Sequence, residues 1–266
     1  MYQYNFNKSS TGAPFITLDQ IESLTEQILN KYCPSAIENF EAVDIEGLAE
    51  FDLGFNVEYA YLSHNGCYAG MMVFNDDQVI RTIKSLMPNV ETGQWELEYL
   101  TDRANTILID KQLDNPRDKG FRRFTLAHEC GHGVIHPCVF YRDPNQLSFF
   151  NEEEKPDSLA CRTGDVNKKK TKRWGFMDTI EWQANTFASC LLMNKKAIRK
   201  YLYYLGYDKH IKDETYLFDF IMKVSEQFRV SKTAALVRLK VLGYAPNNFE
   251  LTKELYKYNY WDIIYR

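Results

Sequence analysis

The sequence predicts an α+β fold. A small antiparallel or mixed sheet packs on the helix carrying His128-Glu129-Cys130-Gly131-His132, and a helical C-terminal bundle with a helix-turn-helix-like element follows. Three observations lead there. Short runs of strand-forming residues between 57 and 112, bounded by turn residues, read as strands. Apolar flanks surround His128 and His132, as a core helix requires. From Asp178 onward the 3.6-residue period dominates.

Taken in order, residues 17–32 place Ile21, Leu24, Ile28 and Leu29 on one helical face, with Thr17 or Asp19 as cap and Pro34 as the stop. Ile45, Leu48 and Ala49 mark a second short helix within 43–51. The runs 57–62 and 67–74 flank Asn65-Gly66, which predicts a hairpin. Further strands are expected at 95–100 and 106–112. After the polar loop 114–120, a helix starts near Phe121 and runs through His128 and His132 to Pro137. Residues 142–174 are polar, rich in Asp, Glu, Lys and Pro, and read as a long surface excursion. The basic run Lys168-Lys169-Lys170-Thr171-Lys172-Arg173 inside it reads as a solvated loop. Helices follow over 178–192 and near 194–205, 213–228 and 231–242.

The chain has 266 residues, enough to bury a substantial core. A net charge of −4 argues against a dedicated nucleic-acid binder. The first eight residues lack the apolar run of a signal peptide, and no stretch approaches the roughly 18 apolar residues of a membrane span. Six cysteines without a CxxC pair read as reduced thiols. A cytoplasmic protein with no membrane association is expected.

The chemistry lies in five residues. His128 and His132, four apart on a helix, present two imidazoles to one cation. Glu129 points about 100° away from His128, so it reaches a water on that cation without ligating the metal itself. Zn2+ acidifies such a water towards a pKa of ~7, and the carboxylate takes the proton during attack on a carbonyl. That division of labour ties the HExxH pattern to peptide hydrolysis rather than to metal storage. A third ligand is required, and three residues offer one. Glu181 starts a downstream helix, with Asn185 four residues on to orient a ligating imidazole. Cys138 sits where metzincins place a third histidine, but the glycine that geometry needs is Ile135. His136 lies two turns from His128, about 11 Å along the axis, too far to share its metal. Glu181 is favoured, which makes the expected site gluzincin-like. A donor for the oxyanion is also needed, and the sequence does not choose among His136, His210 and the cluster at 201–204.

The run Arg122-Arg123-Phe124-Thr125-Leu126-Ala127-His128-Glu129-Cys130-Gly131-His132 and the run from Glu181 to Met193 resemble the ImmA/IrrE family of metallopeptidases. The likeness extends over roughly residues 20–245, through Ile107-Leu108-Ile109-Asp110, the segment 43–50 and the helical end 228–243. It implies His128, His132 and Glu181 as zinc ligands and Glu129 as base. It also implies a protein substrate such as a helix-turn-helix repressor encoded nearby. Cys130 stands where leucine is more usual, and the stretch between His132 and Glu181 is longer than in compact members. Three regions are expected: 1–100, an α+β region packing on the protease core; 101–205, the zinc core with the insertion 142–174; and 206–266, helical and helix-turn-helix-like. The competing reading is a non-proteolytic zinc-containing regulator, or a toxin–antitoxin partner, acting by protein or DNA binding. For DNA binding, Lys232, Arg238 and Lys240 supply a modest charge.

Overall fold

The computed structural model describes residues 6–9, 12–76, 78–115, 119–141, 158–162, 175–207 and 214–251. They are α+β and divide into two compact units, one within Met1–Leu24 and Asp44–Ala188, the other within Thr25–Val43 and Ser189–Arg266.

Helix α1 (Leu18–Tyr32) opens on a capping box. Gln20 N–H donates to Thr17 Oγ1, and Thr17 N–H donates to Gln20 Oε1. Its predicted apolar face is buried at Ile21, Leu24, Ile28 and Leu29. Pro34 then begins the short α2 (Ser35–Glu38). The second predicted helix forms as α3 (Ile45–Gly47), capped by Asp44, and runs into a π-helical turn at Leu48–Asp52.

The sheet departs from the expected hairpin. Strands β1 (Asn56–Ala60) and β2 (Tyr68–Val73) do not pair with each other. Between them lies β5 (Thr106–Asp110), parallel to β1 and antiparallel to β2. Every residue of β5 is buried, so this strand belongs at the centre of a sheet, where both edges are paired and both faces covered. That demand outweighs the local Asn65-Gly66 turn, which still forms with Gly66 at φ +65° but opens wide enough to admit a third strand. On the far side of β2 runs β6 (Ser158–Arg162), antiparallel to it, giving the order β1-β5-β2-β6. This strand lies inside the stretch read as a surface excursion. The rest of that stretch, including the basic run 168–173, lies outside the described residues, as does His210.

A separate ribbon pairs β3 (Gln78–Ile83) with β4 (Leu97–Asp102). Strand β3 was not expected; in it, exposed Val79 and Arg81 alternate with buried Ile80 and Thr82, and Ile83 at its end is buried too. Ala60, Leu62, Val73, Ile80 and Leu108 form a core cluster joining ribbon and sheet.

On this sheet packs α4 (Lys119–Ile135), against β2 and β5. From Thr125 to Ile135 every residue is buried, so the helix is enclosed on all sides over its last three turns. Two glycines make room. A Cβ on Gly133 would collide with the Phe55 ring, and one on Gly131 would stand 3.1 Å from Phe187 and 3.2 Å from the Ala184 backbone. Gly131 therefore sets the close approach of α6 (Phe176–Leu192) to α4. Pro137 starts the short α5 (Pro137–Phe140), where the sequence placed the helix stop.

The second unit contains α7 (Lys195–Tyr204), α8 (Glu214–Gln227) and α9 (Lys232–Val241), close to the predicted spans. Ser231 caps α9 by accepting from Ala234 N–H. Arg238, counted among the cations for DNA, is 1% exposed, with Nε donating to the Met193 carbonyl at 2.9 Å. It is a core residue, which removes one of the three charges. Among the described residues no helix is long and apolar enough to cross a membrane.

Candidate metal centre

Helix α4 carries His128 and His132 one turn apart, and α6 brings Glu181 to them. Glu181 Oε2 lies 3.4 Å from His128 Nε2, and Oε1 lies 3.5 Å from His132 Nε2. The two Nε2 atoms are 2.9 Å apart. Among the described residues this trio is the group that could hold a metal ion, with all ligand atoms within 4.8 Å of one another. The histidines are 1% and 0% exposed and the glutamate 17%, so Glu181 is the member of the trio that meets solvent.

The outer nitrogens of both rings are engaged. His128 Nδ1 is 3.1 Å from Asn185 Oδ1, on the same face of α6 as Glu181. His132 Nδ1 is 2.9 Å from His136 Nδ1. An imidazole that donates through Nδ1 keeps its lone pair on Nε2. Two such lone pairs beside a carboxylate repel one another unless a cation lies among them, so the donor set fits a divalent metal of the zinc type. Burial, the largest influence on Glu181, raises its pKa. The adjacent His128 and His132 outweigh it and lower the carboxyl below its ordinary range to the extent that their Nε2 atoms carry protons, the place a bound cation would take. His132 is pushed down from 6.5, chiefly by burial, and stays neutral.

Glu129 is fully buried, and neither carboxylate oxygen has a hydrogen-bond partner among the described residues. Burial pushes its pKa up to about 8, the charge of Glu181 adds to the rise, and His128 opposes it. An unpaired buried carboxylate is costly, and a neighbouring cation is the usual remedy. Across from it, β2 contributes Gly70 at an irregular position of the strand. A Cβ there would stand 2.9 Å from Glu129 Oε1 and 2.8 Å from Thr125 Cγ2.

Residues 159–240 match the Peptidase_M78 family model, described as the IrrE N-terminal-like domain. The match is consistent with the ImmA/IrrE metallopeptidases. It contains Glu181 and Asn185 and begins after the helix of His128 and His132, so the two halves of the site rest on separate observations. No curated protein was found to match the chain.

The geometry brings together all five residues picked from the sequence: His128, Glu129, His132, Glu181 and Asn185. Cys138 stands apart, its thiol directed to the Ile135 carbonyl. His136 has both ring nitrogens engaged, so it does not offer a free oxyanion donor. The cluster at 201–204 belongs to the second unit, where Tyr201 and Tyr204 pack on Phe40. Sequence reasoning missed Gly70 and Gln183. A glycine inside a strand signals close approach of another group, and Gln183 sits two residues from Glu181 on the same buried helix.

Proposed function

We propose that this chain is a cytoplasmic zinc-dependent endopeptidase in which His128, His132 and Glu181 hold the metal and Glu129 is the general base. The observation that carries the reading is the meeting of the His128 and His132 Nε2 atoms with the Glu181 carboxylate, with the buried, unpartnered carboxyl of Glu129 on the same helix. When bound, the zinc would supply Lewis-acid polarisation of a substrate carbonyl and acidify water at the site.

The chain's own residues do the rest. Glu129, whose proton affinity responds to both His128 and Glu181, would accept a proton at Oε1 or Oε2 and return it to the leaving amine. Gly70 leaves the space in which that carboxylate stands. Asn185 fixes the His128 ring, and Glu181 balances the cation charge. Enclosure of α4 excludes water from the face behind the ligands, which strengthens each of these interactions.

The substrate in this reading is a regulatory protein, such as a helix-turn-helix repressor encoded nearby, as the ImmA/IrrE resemblance implies. Burial of Arg238 weakens the alternative of a DNA-binding regulator. Co-expression with a helix-turn-helix repressor encoded beside this chain tests the proposal. The wild type is expected to cleave it, and Glu129→Gln to leave it intact while retaining zinc. Equal cleavage by both proteins would overturn it.

A further inference from the structure

Behind His132 a line of buried groups leads away from the site to the N-terminal segment. Gln183 Nε2 lies 2.6 Å from the Pro14 carbonyl oxygen, Gln183 Oε1 lies 2.9 Å from His136 Nε2, and His136 Nδ1 lies 2.9 Å from His132 Nδ1. His132 and His136 are 0% exposed and Gln183 is 1%. The far end is anchored: Phe15 N–H donates to the Asn7 carbonyl at 2.6 Å, and Ala13, Pro14 and Ile16 are buried.

The sense of this chain is set by its far end. A backbone carbonyl only accepts, so the Gln183 amide must present its NH2 to Pro14 and its oxygen to His136. His136 then donates through Nε2 and holds a lone pair on Nδ1. His132 must donate through Nδ1, and its Nε2 lone pair faces Glu181 and His128. In the opposite tautomer, the two Nδ1 lone pairs would face each other at 2.9 Å, and a proton would occupy Nε2, where a ligand needs none.

We propose that His136, Gln183 and the Pro14 carbonyl are a positioning relay that holds His132 in the one tautomer able to bind a metal. The inference rests on the reading of His128, His132 and Glu181 as ligands. None of the three relay groups touches the reacting atoms. The N-terminal segment thereby becomes part of the support of the metal centre, although Pro14 and Gln183 are 169 positions apart in the chain.

Two measurements test it. In full-length, metal-free, 15N-labelled protein, two-bond proton–nitrogen correlations of the His132 ring are expected to show Nδ1–H with Nε2 unprotonated. Zinc affinity, read by competition with a chromophoric chelator, is expected to fall about 10- to 100-fold in His136→Leu and Gln183→Leu. In His136→Asn, where Oδ1 takes the place of the ring Nδ1 as acceptor, part of the loss is expected to return. An Nε2–H tautomer in the wild type would overturn the relay. So would unchanged affinity in a folded His136→Leu, or an asparagine variant no better than the leucine one. Should His136→Leu not fold, the wild-type tautomer decides. A wild type that binds no zinc would sink the metal-site reading, while the tautomer measurement still reports on the relay.

Discussion

Gly70 of β2 faces Glu129 of α4 so closely that a single added methyl would stand 2.9 Å from the carboxylate oxygen. The strand therefore limits where the Glu129 carboxyl stands, while His128 and His132 share its helix and Glu181 lies on α6. Gly70→Ala should displace Glu129 and cost about 1–3 kcal/mol of stability, as overpacking a core does. Hydrolysis should drop by more than zinc affinity does, measured as kcat/KM beside a chelator titration of the same sample. An alanine variant with wild-type turnover would show that Glu129 has room to spare.

The buried Glu129 carboxyl also gives the metal-free protein a distinctive pH dependence. Burial pushes its pKa up to about 8 in the fold, from an ordinary value of 4.5. Between those values the native state holds the proton more tightly than the unfolded chain, so stability falls as pH rises from about 4.5 to about 8. Glu129→Gln removes that slope. In urea melts of chelated protein, the advantage of the glutamine variant should grow by up to ~1.4 kcal/mol per pH unit across this window. A constant difference from pH 5 to pH 8 would contradict the burial.

Glu181 carries the charge of the trio. Glu181→Gln keeps the shape and loses the charge, and zinc affinity should fall at least about 100-fold with the melting temperature of the chelated protein nearly unchanged. Elemental analysis after dialysis reads the first, calorimetry the second. Wild-type zinc content in the variant would point to a different third ligand.

Arg238 tests the second unit. Its guanidinium bonds the Met193 carbonyl and the Cys190 sulfur inside the core. Arg238→Leu should destabilise the protein by about 1–3 kcal/mol, because the buried Met193 carbonyl loses a partner. No salt-dependent change in DNA retention is expected from it. Reduced retention with an unchanged melting temperature would return Arg238 to a surface role.

Much of this architecture was legible before the structure. The start of α1 at Thr17 or Asp19, the stops of the helices, and the pair His128/His132 are all local patterns, complete within one or two turns of chain. Strand pairing is not local. Asn65-Gly66 is a good turn, yet β5 came from about 40 residues further on to separate β1 and β2, because its buried residues needed a central place. Strand β6 stayed hidden because its five residues sit in a long polar stretch and its partner, β2, lies far back in the chain.

The sequence alone picked out the helix of His128 and His132, Glu129 beside them and Glu181 as the favoured third candidate, since helical spacing puts the two imidazoles on one face. Only the tertiary structure decided that Glu181 meets them, that Gly70 confines Glu129, and that Gln183 and Pro14 stand behind His136 and His132. Those relations join residues far apart in the chain. Their physical cause is the enclosure of α4, where the buried imidazoles of His128 and His136 take partners from α6 and Gly70 and Gly131 let neighbouring elements approach.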